Sequence, residues 1–462
     1  MILPPRSPFA GVTLDEFGAR FRRGELSARE TTATLLARIK ALEPKLAAFV
    51  VVDAERALAQ AEGVDRLWAA GVDLGPLMGV PVALKDFFSV TNMPTLAGSR
   101  VDIADLVPPQ GRFVTGLQRN GCIILGKTTT TEFALGGYNL THRLPHNPCD
   151  PAVARMTGGS SHGSAVAMAA ELAGFTIGSD TGGSVRLPAA LCGIVGYKST
   201  AGHWPEDGIF PLSRHMDSIG TFTSSVADAA TIHAALACRK PCSRVRPEGL
   251  VLGLPVNHFL DDLDPSVQSC FARALDMLRA AGACIVDIDV PEAAEIDVVF
   301  GRLVTAELIG FLGRERFLAG EPRMDPVAAA RARAGLDLTA DDYVRLSARQ
   351  RALIAIMEER SRGIDAWITP TVAVLPEPTA DVRDLAMVAA WNRLTTRNTR
   401  PGNLFGQCGI SLPIHHLGAA LPVGLQLCGV PNGDERLLAV ASAVELVVGR
   451  PQVPNRDALL IG

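Results

Sequence analysis

The chain has 462 residues, of which 48% are hydrophobic and 5% aromatic, and its 44 Lys and Arg against 48 Asp and Glu give a formal net charge of −4. This apolar content is ample for a large packed core, which excludes a disordered chain, a coiled coil and a small disulfide scaffold. The small negative charge and the lack of Lys- or Arg-rich runs argue against nucleic acid as a direct partner.

Neither a targeting segment nor a membrane span is predicted from the sequence. Arg6, Asp15 and Glu16 interrupt the start of the chain before an apolar stretch of signal-peptide length develops. The most apolar later stretch, residues 165–177, contains Glu171 and is shorter than the roughly 20 apolar residues of a span. Nine cysteines lie scattered among apolar neighbours, as reduced thiols do. We therefore expect a cytoplasmic protein that binds no membrane.

Helices and strands alternate along the chain. Apolar periodicity, capping residues and glycines predict, in chain order, a helix over 27–42, a strand over 49–52, a helix over 53–70, a strand over 80–85, a helix over 111–120, a strand over 122–125, a strand over 250–254, a helix and then a strand over 265–290, strands over 364–368 and 422–427, and a helix from 434. This alternation predicts an α/β protein with a large, mixed, twisted sheet between helical layers.

Residues 293–362 depart from this alternation. They are helical and Arg-rich throughout, and the stretch over 331–362 is typical of one or two solvated helices. We find no repeat, low-complexity tract or clear linker. The sequence therefore predicts one domain over residues 1–462, with a helical insertion at about 293–362 that lies over the sheet.

Two glycine pairs stand directly before serines, at 158–160 and at 182–184. Glycine permits positive φ and close approach of other backbone, so such loops can aim successive N–H groups at one point and bind an anion. A helix of small residues predicted over 165–173 would direct its positive end toward the first loop. The alternative is that both loops are only tight turns at the edge of a sheet.

Two motif matches are disfavoured by their surroundings. Residues 159–163 fit the GxSxG nucleophile elbow, with Ser161 as nucleophile, but that elbow needs a strand before it, and residues 151–157 are polar and begin with proline. Residues 121–128 fit the phosphate-binding GxxxxGK[ST] pattern, but residues 122–125 form a continuous apolar strand where the phosphate loop should be.

Lys85 is one of only six lysines, and it ends an apolar strand in VPVALKDFF. Burial disfavours the ammonium form and lowers the pKa of a lysine, which can make the amine a general base near neutral pH. An ordinary ion pair with the neighbouring Asp86 is the alternative. Cys238 and Cys242 form a CxxxC pair without a second Cys or His pair, so we predict no zinc site there.

Three segments, in this order, resemble the amidase signature family: GVPVALKD around Lys85, GGSSHGSA around Ser160, and GSDTGGSVRLPAALCGIVGYK around Ser184. The separations also fit the family, with 75 residues from Lys85 to Ser160 and 24 from Ser160 to Ser184. The segments ILGKTTTTEFALGG, PLSRHMDSIG and LPVGLQLCG fit as well. The resemblance covers most of the chain and is densest over the signature core, at about 75–220.

The resemblance implies that Ser184 is the nucleophile, that Ser160 bridges to it from a cis Gly159–Ser160 peptide, and that Lys85 is the base. This assignment agrees with serine chemistry, because a serine hydroxyl is a weak nucleophile and needs a nearby proton acceptor. No histidine lies near Ser184 in the sequence to supply one. A neutral Lys85 would take a proton from Ser160, which would take one from Ser184.

The residues around the nucleophile receive supporting roles by the same resemblance. The oxyanion hole would consist of the backbone N–H groups of Thr181, Gly182, Gly183 and Ser184. Hydrogen bonds of Asp180 and Arg186 would fix the shape of this loop, and Ser161 would lie just behind the reacting groups.

Two positions bear on substrate choice. His162 stands where the family usually has glycine or serine, and it is either a satisfied histidine at a helix end or a group that tunes Lys85 or touches substrate. Tyr138 is either a wall of the substrate pocket or a core residue. In this family the other walls come from the loop after Gly202 and from residues 293–362, so the sequence does not identify which side chains converge.

Taken together, the motifs predict an amidohydrolase that cleaves a small-molecule amide to a carboxylate and ammonia through an acyl-enzyme, without a metal or other cofactor. The alternatives are a glutaminase that resembles the glutamine-hydrolysing part of glutamyl-tRNA amidotransferase, a hydrolase of urea derivatives of the allophanate or carboxybiuret kind, and a catalytically silent scaffold. Aryl, alkyl and urea-derived amides all stay open as substrates. A homodimer, which is common among relatives, is the assembly that the resemblance suggests.

Overall fold

The computed structural model describes residues 5–238 and 245–451. Within these ranges one sheet holds 11 strands. The strands are β1 (Phe49–Val52), β2 (Pro81–Lys85), β3 (Ile123–Thr128), β4 (Phe175–Ser179), β5 (Val195–Lys198), β6 (Ile219–Thr223), β7 (Val251–Pro255), β8 (Cys284–Ile288), β9 (Ala366–Pro370), β10 (Cys408–Pro413) and β11 (Gly424–Gly429). Their spatial order is β1-β3-β2-β4-β6-β5-β10-β11-β9-β7-β8.

Helices pack against this sheet along its length. They are α1 (Leu14–Arg22), α2 (Ala28–Leu46), α3 (Ala54–Ala69), α4 (Arg112–Arg119), α5 (His162–Ala169), α6 (Arg186–Cys192), α7 (Val226–Leu236), α8 (Pro265–Ala280), α9 (Ile296–Leu312), α10 (Arg314–Gly320), α11 (Pro326–Arg333), α12 (Ala340–Arg360), α13 (Leu385–Thr396), α14 (Arg400–Leu404) and α15 (Asp434–Val448).

The sheet contains both kinds of strand pairing. β2 runs parallel to β3 and β4, and β7 runs parallel to β8 and β9, whereas β5, β6, β10 and β11 pair antiparallel with their neighbours. The predicted α/β class with a large mixed sheet is therefore confirmed. The single sheet combines strands from residue 49 to residue 429, which agrees with one domain. The single domain over residues 1–462 stays a prediction.

The pairing of β2 with β4 determines where the chemistry-bearing side chains meet. Both strands are buried along their whole length, as their continuous apolar runs require. Leu84 of β2 lies opposite Ile177 of β4, so the next residues along each strand reach the same edge of the sheet. Lys85 ends β2, and Ser179 ends β4 immediately before the glycine loop at 180–184.

The two disfavoured motif matches are not realised in the fold. Residues 126–128 belong to the buried strand β3, so they cannot wrap a phosphate. No strand among the described residues leads into the loop at 158–160, since residues 151–157 contain only an isolated bridge from Arg155 to Pro378. The nucleophile elbow therefore lacks the strand that would expose its serine.

The helix of small residues after the first glycine loop is shorter than predicted. The prediction placed it over 165–173, but α5 covers His162–Ala169. Glu171 adopts a left-handed conformation with φ of 57°, which ends the helix and turns the chain toward β4.

The insertion at 293–362 forms α9 to α12, as expected for a helical segment, but it is not solvated throughout. α9 buries ten of its residues, from Ile296 to Leu312. α12 is the more solvated helix and buries only Ser347, Gln350, Leu353 and Met357.

The fold also bears on membrane and metal binding. Within residues 5–238 and 245–451, every helix falls short of the length and apolarity that crossing a bilayer takes. The same residues hold no group of three or more His, Cys, Asp or Glu side chains arranged for a metal ion. Cys242, the second residue of the CxxxC pair, lies outside the described residues.

Candidate active site

Lys85 is completely buried at the end of β2, and its amine contacts two serine hydroxyls. Lys85 Nζ donates to Ser160 Oγ at 2.6 Å and to Ser179 Oγ at 2.9 Å. Burial lowers the pKa of Lys85 to about 7, against the opposing effects of the Asp217 and Asp180 charges. A substantial fraction of the amine is therefore uncharged at neutral pH and can accept a proton.

The ion pair between Lys85 and Asp86, which the sequence left as an alternative, is not formed. Asp86 instead pairs with Lys127 on the neighbouring strand β3, with Nζ and Oδ1 2.7 Å apart and both side chains buried. Lys127 also donates to the carbonyl of Pro94 at 2.7 Å. These contacts leave the Lys85 amine to the two serines.

The two serine loops meet beside Lys85. The Gly159–Ser160 peptide is cis, as the family resemblance implies. The Ser161 N–H donates to the Ser184 carbonyl at 3.3 Å, which joins the two glycine loops through their backbones. Ser160 is completely buried, whereas Ser184 is 8% exposed and lines a cavity.

A buried ion pair holds the loop that carries Ser184. Arg186 Nη2 lies 3.0 Å from Asp180 Oδ1, and Arg186 also donates to Gln426 and Asn403. Burial alone would raise the pKa of Asp180, but the Arg186 charge and hydrogen bonds hold that pKa well below its usual range. Asp180 accepts the N–H of Val185 at 3.1 Å, so the carboxylate also orients the loop backbone.

A further hydrogen bond to Asp180 reduces the number of N–H groups that could serve as oxyanion donors. The Gly183 N–H donates to Asp180 Oδ1 at 2.8 Å, so it is directed at the carboxylate and is not available to a reacting carbonyl. Among the described residues, no acceptor contacts the N–H groups of Thr181, Gly182 or Ser184. The proposal for the oxyanion hole therefore retains these three donors and corrects the inclusion of Gly183.

The Ser161 hydroxyl is hydrogen-bonded to the backbone of β4. It donates to the Ser179 carbonyl at 3.1 Å and accepts the Ser179 N–H at 3.3 Å. Ser161 is completely buried. These two bonds give it the supporting position that the resemblance implies and leave it unsuited to attack a substrate.

His162 begins α5 inside the protein and is 1% exposed. Burial, followed by the charges of Lys85 and His142, lowers the pKa of His162 to about 3. Its Nδ1 has no hydrogen-bond partner in the described part of the chain, so it is not the satisfied helix-end histidine of the first alternative. A neutral ring near Lys85 adds no charge to the site.

Tyr138 packs in a small hydrophobic cluster with Met156, Leu187 and Trp391. Its hydroxyl donates to the Val382 carbonyl at 3.4 Å. Tyr138 does not line the cavity at Ser184, although its neighbour Gly137 does. This position favours the core-packing alternative over the pocket-wall role.

Sequence reasoning missed Ser179 and Asp217, which contact the predicted residues directly. Ser179 is the second partner of Lys85, and Asp217 accepts from Thr181 Oγ1 at 2.5 Å. Burial raises the pKa of Asp217 to about 6, although the bond from Thr181 acts in the opposite direction. Both residues lie inside segments that resemble the family, and this position in the sequence is the signal that could have identified them.

The cavity at Ser184 has an inner and an outer part. The inner part, of about 30 Å³, is bordered by the Ser184 loop, by Phe300 of α9, and by Arg331 and Arg400. The outer part, of about 280 Å³, shares Phe300 and Arg331 with it and extends past Asp297. Sequence reasoning missed Phe300, Arg331 and Arg400, although the first two lie in the insertion that was expected to supply walls.

A larger cavity of about 720 Å³ adjoins the site. It reaches Ser179 and Asp217, and it includes Glu206 in the loop after Gly202. Leu212 borders both this cavity and the inner cavity at Ser184. The loop after Gly202 therefore borders this larger cavity, and its role as a wall of the substrate pocket stays a prediction.

Comparison with known proteins identifies the family. The model of the Amidase family matches residues 30–438, which is most of the chain. The chain belongs to the amidase family. The resemblance seen in the three sequence motifs is thereby confirmed, and the protein is a hydrolase that acts on carbon–nitrogen bonds.

Relatives cover nearly the whole length of this amidase-family chain. The 2-amino-5-chloromuconic acid deaminase of Comamonas testosteroni is 38% identical over 449 residues, with 96% of this chain and 97% of that protein covered. The A component of the glutamyl-tRNA(Gln) amidotransferase of Geobacter metallireducens is 34% identical, with 94% and 96% covered. The crystal structure of an amidase matches with a TM-score of 0.85 at 30% identity, and covers 95% of this chain and 100% of its own.

Proposed function

We propose that this protein hydrolyses a small-molecule amide to a carboxylate and ammonia, with Ser184 as nucleophile and Lys85 as base. The observation that carries the proposal is the 2.6 Å contact between the buried Lys85 amine and Ser160 Oγ, beside the loop of Ser184. A lysine whose pKa is lowered to about 7 supplies the proton acceptor that a serine nucleophile needs. The deaminase relative supports ammonia as the leaving group.

The proposed reaction has two halves. In the first, neutral Lys85 takes the Ser160 proton while Ser160 takes the Ser184 proton, and Ser184 Oγ bonds to the amide carbon. The negative oxygen of the tetrahedral intermediate accepts from the free N–H groups of the loop. The carbon–nitrogen bond then breaks, and the proton held by Lys85 returns through Ser160 to the departing nitrogen, which leaves as ammonia.

The second half releases the acid. Water attacks the Ser184 ester carbon and gives its proton to Ser160, whose own proton passes to Lys85. The carbon–Oγ bond breaks, Ser184 regains through Ser160 the proton held by Lys85, and the carboxylic acid leaves and gives its own proton to solvent to become the carboxylate. Every proton comes from water or a side chain, so this route needs only the residues described above.

Single substitutions test the assignment through ammonia release from a panel of alkyl, aryl and urea-derived amides. Ser184→Ala and Lys85→Ala are each expected to lower kcat by about 10⁴-fold or more, and Ser160→Ala by about 10²- to 10⁴-fold, because each breaks the proton path. Lys40→Ala, on the exposed face of α2, is the matched control and should retain full activity. Circular dichroism verifies that each variant folds, and full activity of folded Ser184→Ala would refute the proposal.

A second candidate is an ammonia-supplying component of a larger complex that uses glutamine. It is favoured by the amidotransferase relative, which is 34% identical and covers 94% of this chain. Such a component would depend on partner chains, whereas the amidohydrolase acts alone. Glutamine turnover by the purified chain, measured with and without candidate partner chains, separates the two functions.

A further inference from the structure

Two arginines from different helices border the cavity at Ser184. Arg331 belongs to α11 and Arg400 begins α14, and both line the inner cavity together with Thr181, Gly182 and Ser184. Lys85 is not among the residues that line this cavity. A ligand bound in the cavity at Ser184 therefore lies next to two guanidinium groups.

The two positive charges are poorly compensated. Within residues 5–238 and 245–451, Arg331 makes no ion pair, and the carboxylate paired with Arg400 is Asp297, at 3.1 Å. The Asp297 side chain is 76% exposed, while that of Arg400 is only 12% exposed. An exposed carboxylate is well solvated and compensates a charge weakly. Burial, followed by repulsion from Arg400, lowers the pKa of Arg331 to about 9, so the Arg331 guanidinium stays charged at pH 7.

Both arginines are carried by helices that are tied to neighbouring segments. The Arg400 guanidinium lies over the Phe300 ring at 5.4 Å, and Thr399 Oγ1 donates to the Gly182 carbonyl at 2.9 Å, so the start of α14 is tied to the nucleophile loop. α11 is capped by Asp325, whose other oxygen accepts the N–H groups of Leu140 and Thr141. These contacts fix where the two arginine side chains begin, and a guanidinium group is suited to bind a carboxylate.

The other residues that line the cavity limit which kind of molecule can carry the anionic group. Leu135, Phe300 and Val304 make the wall apolar, and the inner cavity holds only about 30 Å³ before its long arginine side chains move. Among the described residues, no Asp or Glu lines this inner part, so a ligand ammonium group would find no carboxylate there. The site suits a short chain that carries an amide at one end and a negative charge at the other.

We propose that the substrate is a small amide that bears a carboxylate, and that Arg331 and Arg400 bind this carboxylate while Ser184 attacks the amide carbon. This inference rests on the proposed function and names its substrate class. It predicts discrimination against neutral amides and also against amino-acid amides such as glutamine, whose ammonium group adds an uncompensated positive charge.

Ammonia release from matched substrates tests the preference. Malonamate, succinamate and glutaramate are compared with neutral methyl ketone amides of the same length, and glutamine is compared with glutaramate. For the best of the three lengths we expect kcat/KM of the acid to exceed that of its neutral analogue by at least about 30-fold, because only the acid pairs with the arginines. Equal values for the acid and the neutral analogue would overturn the inference while leaving the proposed hydrolysis intact.

Variants assign the preference to the two arginines. Arg331→Met and Arg400→Met should each lower kcat/KM for the acid about 30-fold or more, mainly through KM, and this loss should exceed any loss for the neutral amide by at least about tenfold. Arg331→Lys should recover part of the loss because it restores a charge. Arg333→Met is the matched control, since Arg333 lies on the same helix but is exposed and paired with Glu321. Equal losses for acid and neutral amides would contradict carboxylate binding.

A binding measurement separates failure of this inference from failure of the proposed function. Calorimetric titration of Ser184→Ala with each of the three acids needs no turnover. Binding that is weakened at least about 30-fold by adding Arg331→Met supports the carboxylate site even if no amide is hydrolysed. Absence of binding by any acid, in a protein that hydrolyses neutral amides, would overturn the inference alone.

Discussion

Lys85 has its chemistry because of where β2 ends. A lysine in water is protonated at neutral pH and cannot act as a base. Complete burial removes most of the hydration of the ammonium form, and the two serine hydroxyls stabilise a charge less well than water does. The result is a pKa of about 7, which suits a group that must take up and return a proton in each turnover.

This lowered pKa predicts how the rate depends on pH. The neutral amine is the active form, so kcat/KM should rise with pH between about 6 and 8, with an apparent pKa near 7, and then level off. The nearby Asp217 charge favours the ammonium form, and His162 stays neutral throughout this range. The measurement is kcat/KM from pH 5.5 to 9 with a neutral amide, whose own charge does not change.

Asp217→Asn provides the control for that profile. Removing the carboxylate removes a group that raises the pKa of Lys85, so the rise in rate should move to lower pH. A rate that is flat or falls across pH 6 to 8 would be inconsistent with a neutral lysine base.

The sequence predicted Lys85, Ser160 and Ser184 as a set because their motifs are local and specific. It did not predict their partners, since these come from distant parts of the chain. Ser179 is 94 residues from Lys85, and Asp217 is 36 residues from Thr181. A side chain such as Arg400 looks like any exposed arginine in the sequence until the fold places it in the same cavity as Ser184.

At the level of secondary structure, the Ser184 loop depends on close packing that only glycine permits. Gly183 has φ of +119°, and a Cβ there would lie 2.1 Å from Thr399 Oγ1. Phe300 also packs closely over Gly182, at 2.5 Å from an added Cβ. Residues that are far from the loop in sequence therefore pack against its two glycines, and the Asp180–Arg186 pair holds the same loop.

Gly183→Ala should consequently displace the loop and lower kcat/KM by at least about 10²-fold, because donors moved by about 1 Å lose their alignment with the oxyanion. Gly71→Ala is the control, since Gly71 also has a positive φ, of +81°, but nothing lies within 4 Å of its added Cβ. The control should lose about 1–2 kcal/mol of stability and no activity. Activity assays and thermal unfolding of both variants measure the difference, and similar activities would contradict the packing argument.

Local signals predicted some elements well and others not at all. β1 has the bounds predicted from its apolar run, and α3 begins one residue after its predicted start because Asp53 caps it. β5 was not predicted, because four residues with a central glycine carry little periodicity. β5 becomes a strand through its pairing with β6 and β10, and the latter partner is more than 200 residues away.

On the scale of the whole molecule, the site forms where the sheet edge meets the helical insertion. The sequence placed the insertion over the sheet and predicted solvated helices over 331–362, and α9, which precedes that stretch, is largely buried and supplies Phe300 to the cavity. Glu307 of α9 connects the insertion to residues 213–215, because its carboxylate accepts hydrogen bonds from Ser213 Oγ and from the His215 ring. The same carboxylate accepts a hydrogen bond from Tyr343 of α12, within the insertion. The expected homodimer stays a prediction, since its evidence is family resemblance alone.

The central claim is that Ser184, activated through Ser160 and Lys85, attacks the substrate carbonyl. The most direct measurement is labelling with a serine-directed fluorophosphonate, followed by peptide mass mapping of the intact chain. We expect one adduct on the peptide that contains Ser184, no adduct there in Ser184→Ala, and much slower labelling in Lys85→Ala. An adduct on Ser161, or labelling of Ser184 at an unchanged rate without Lys85, would contradict the mechanism.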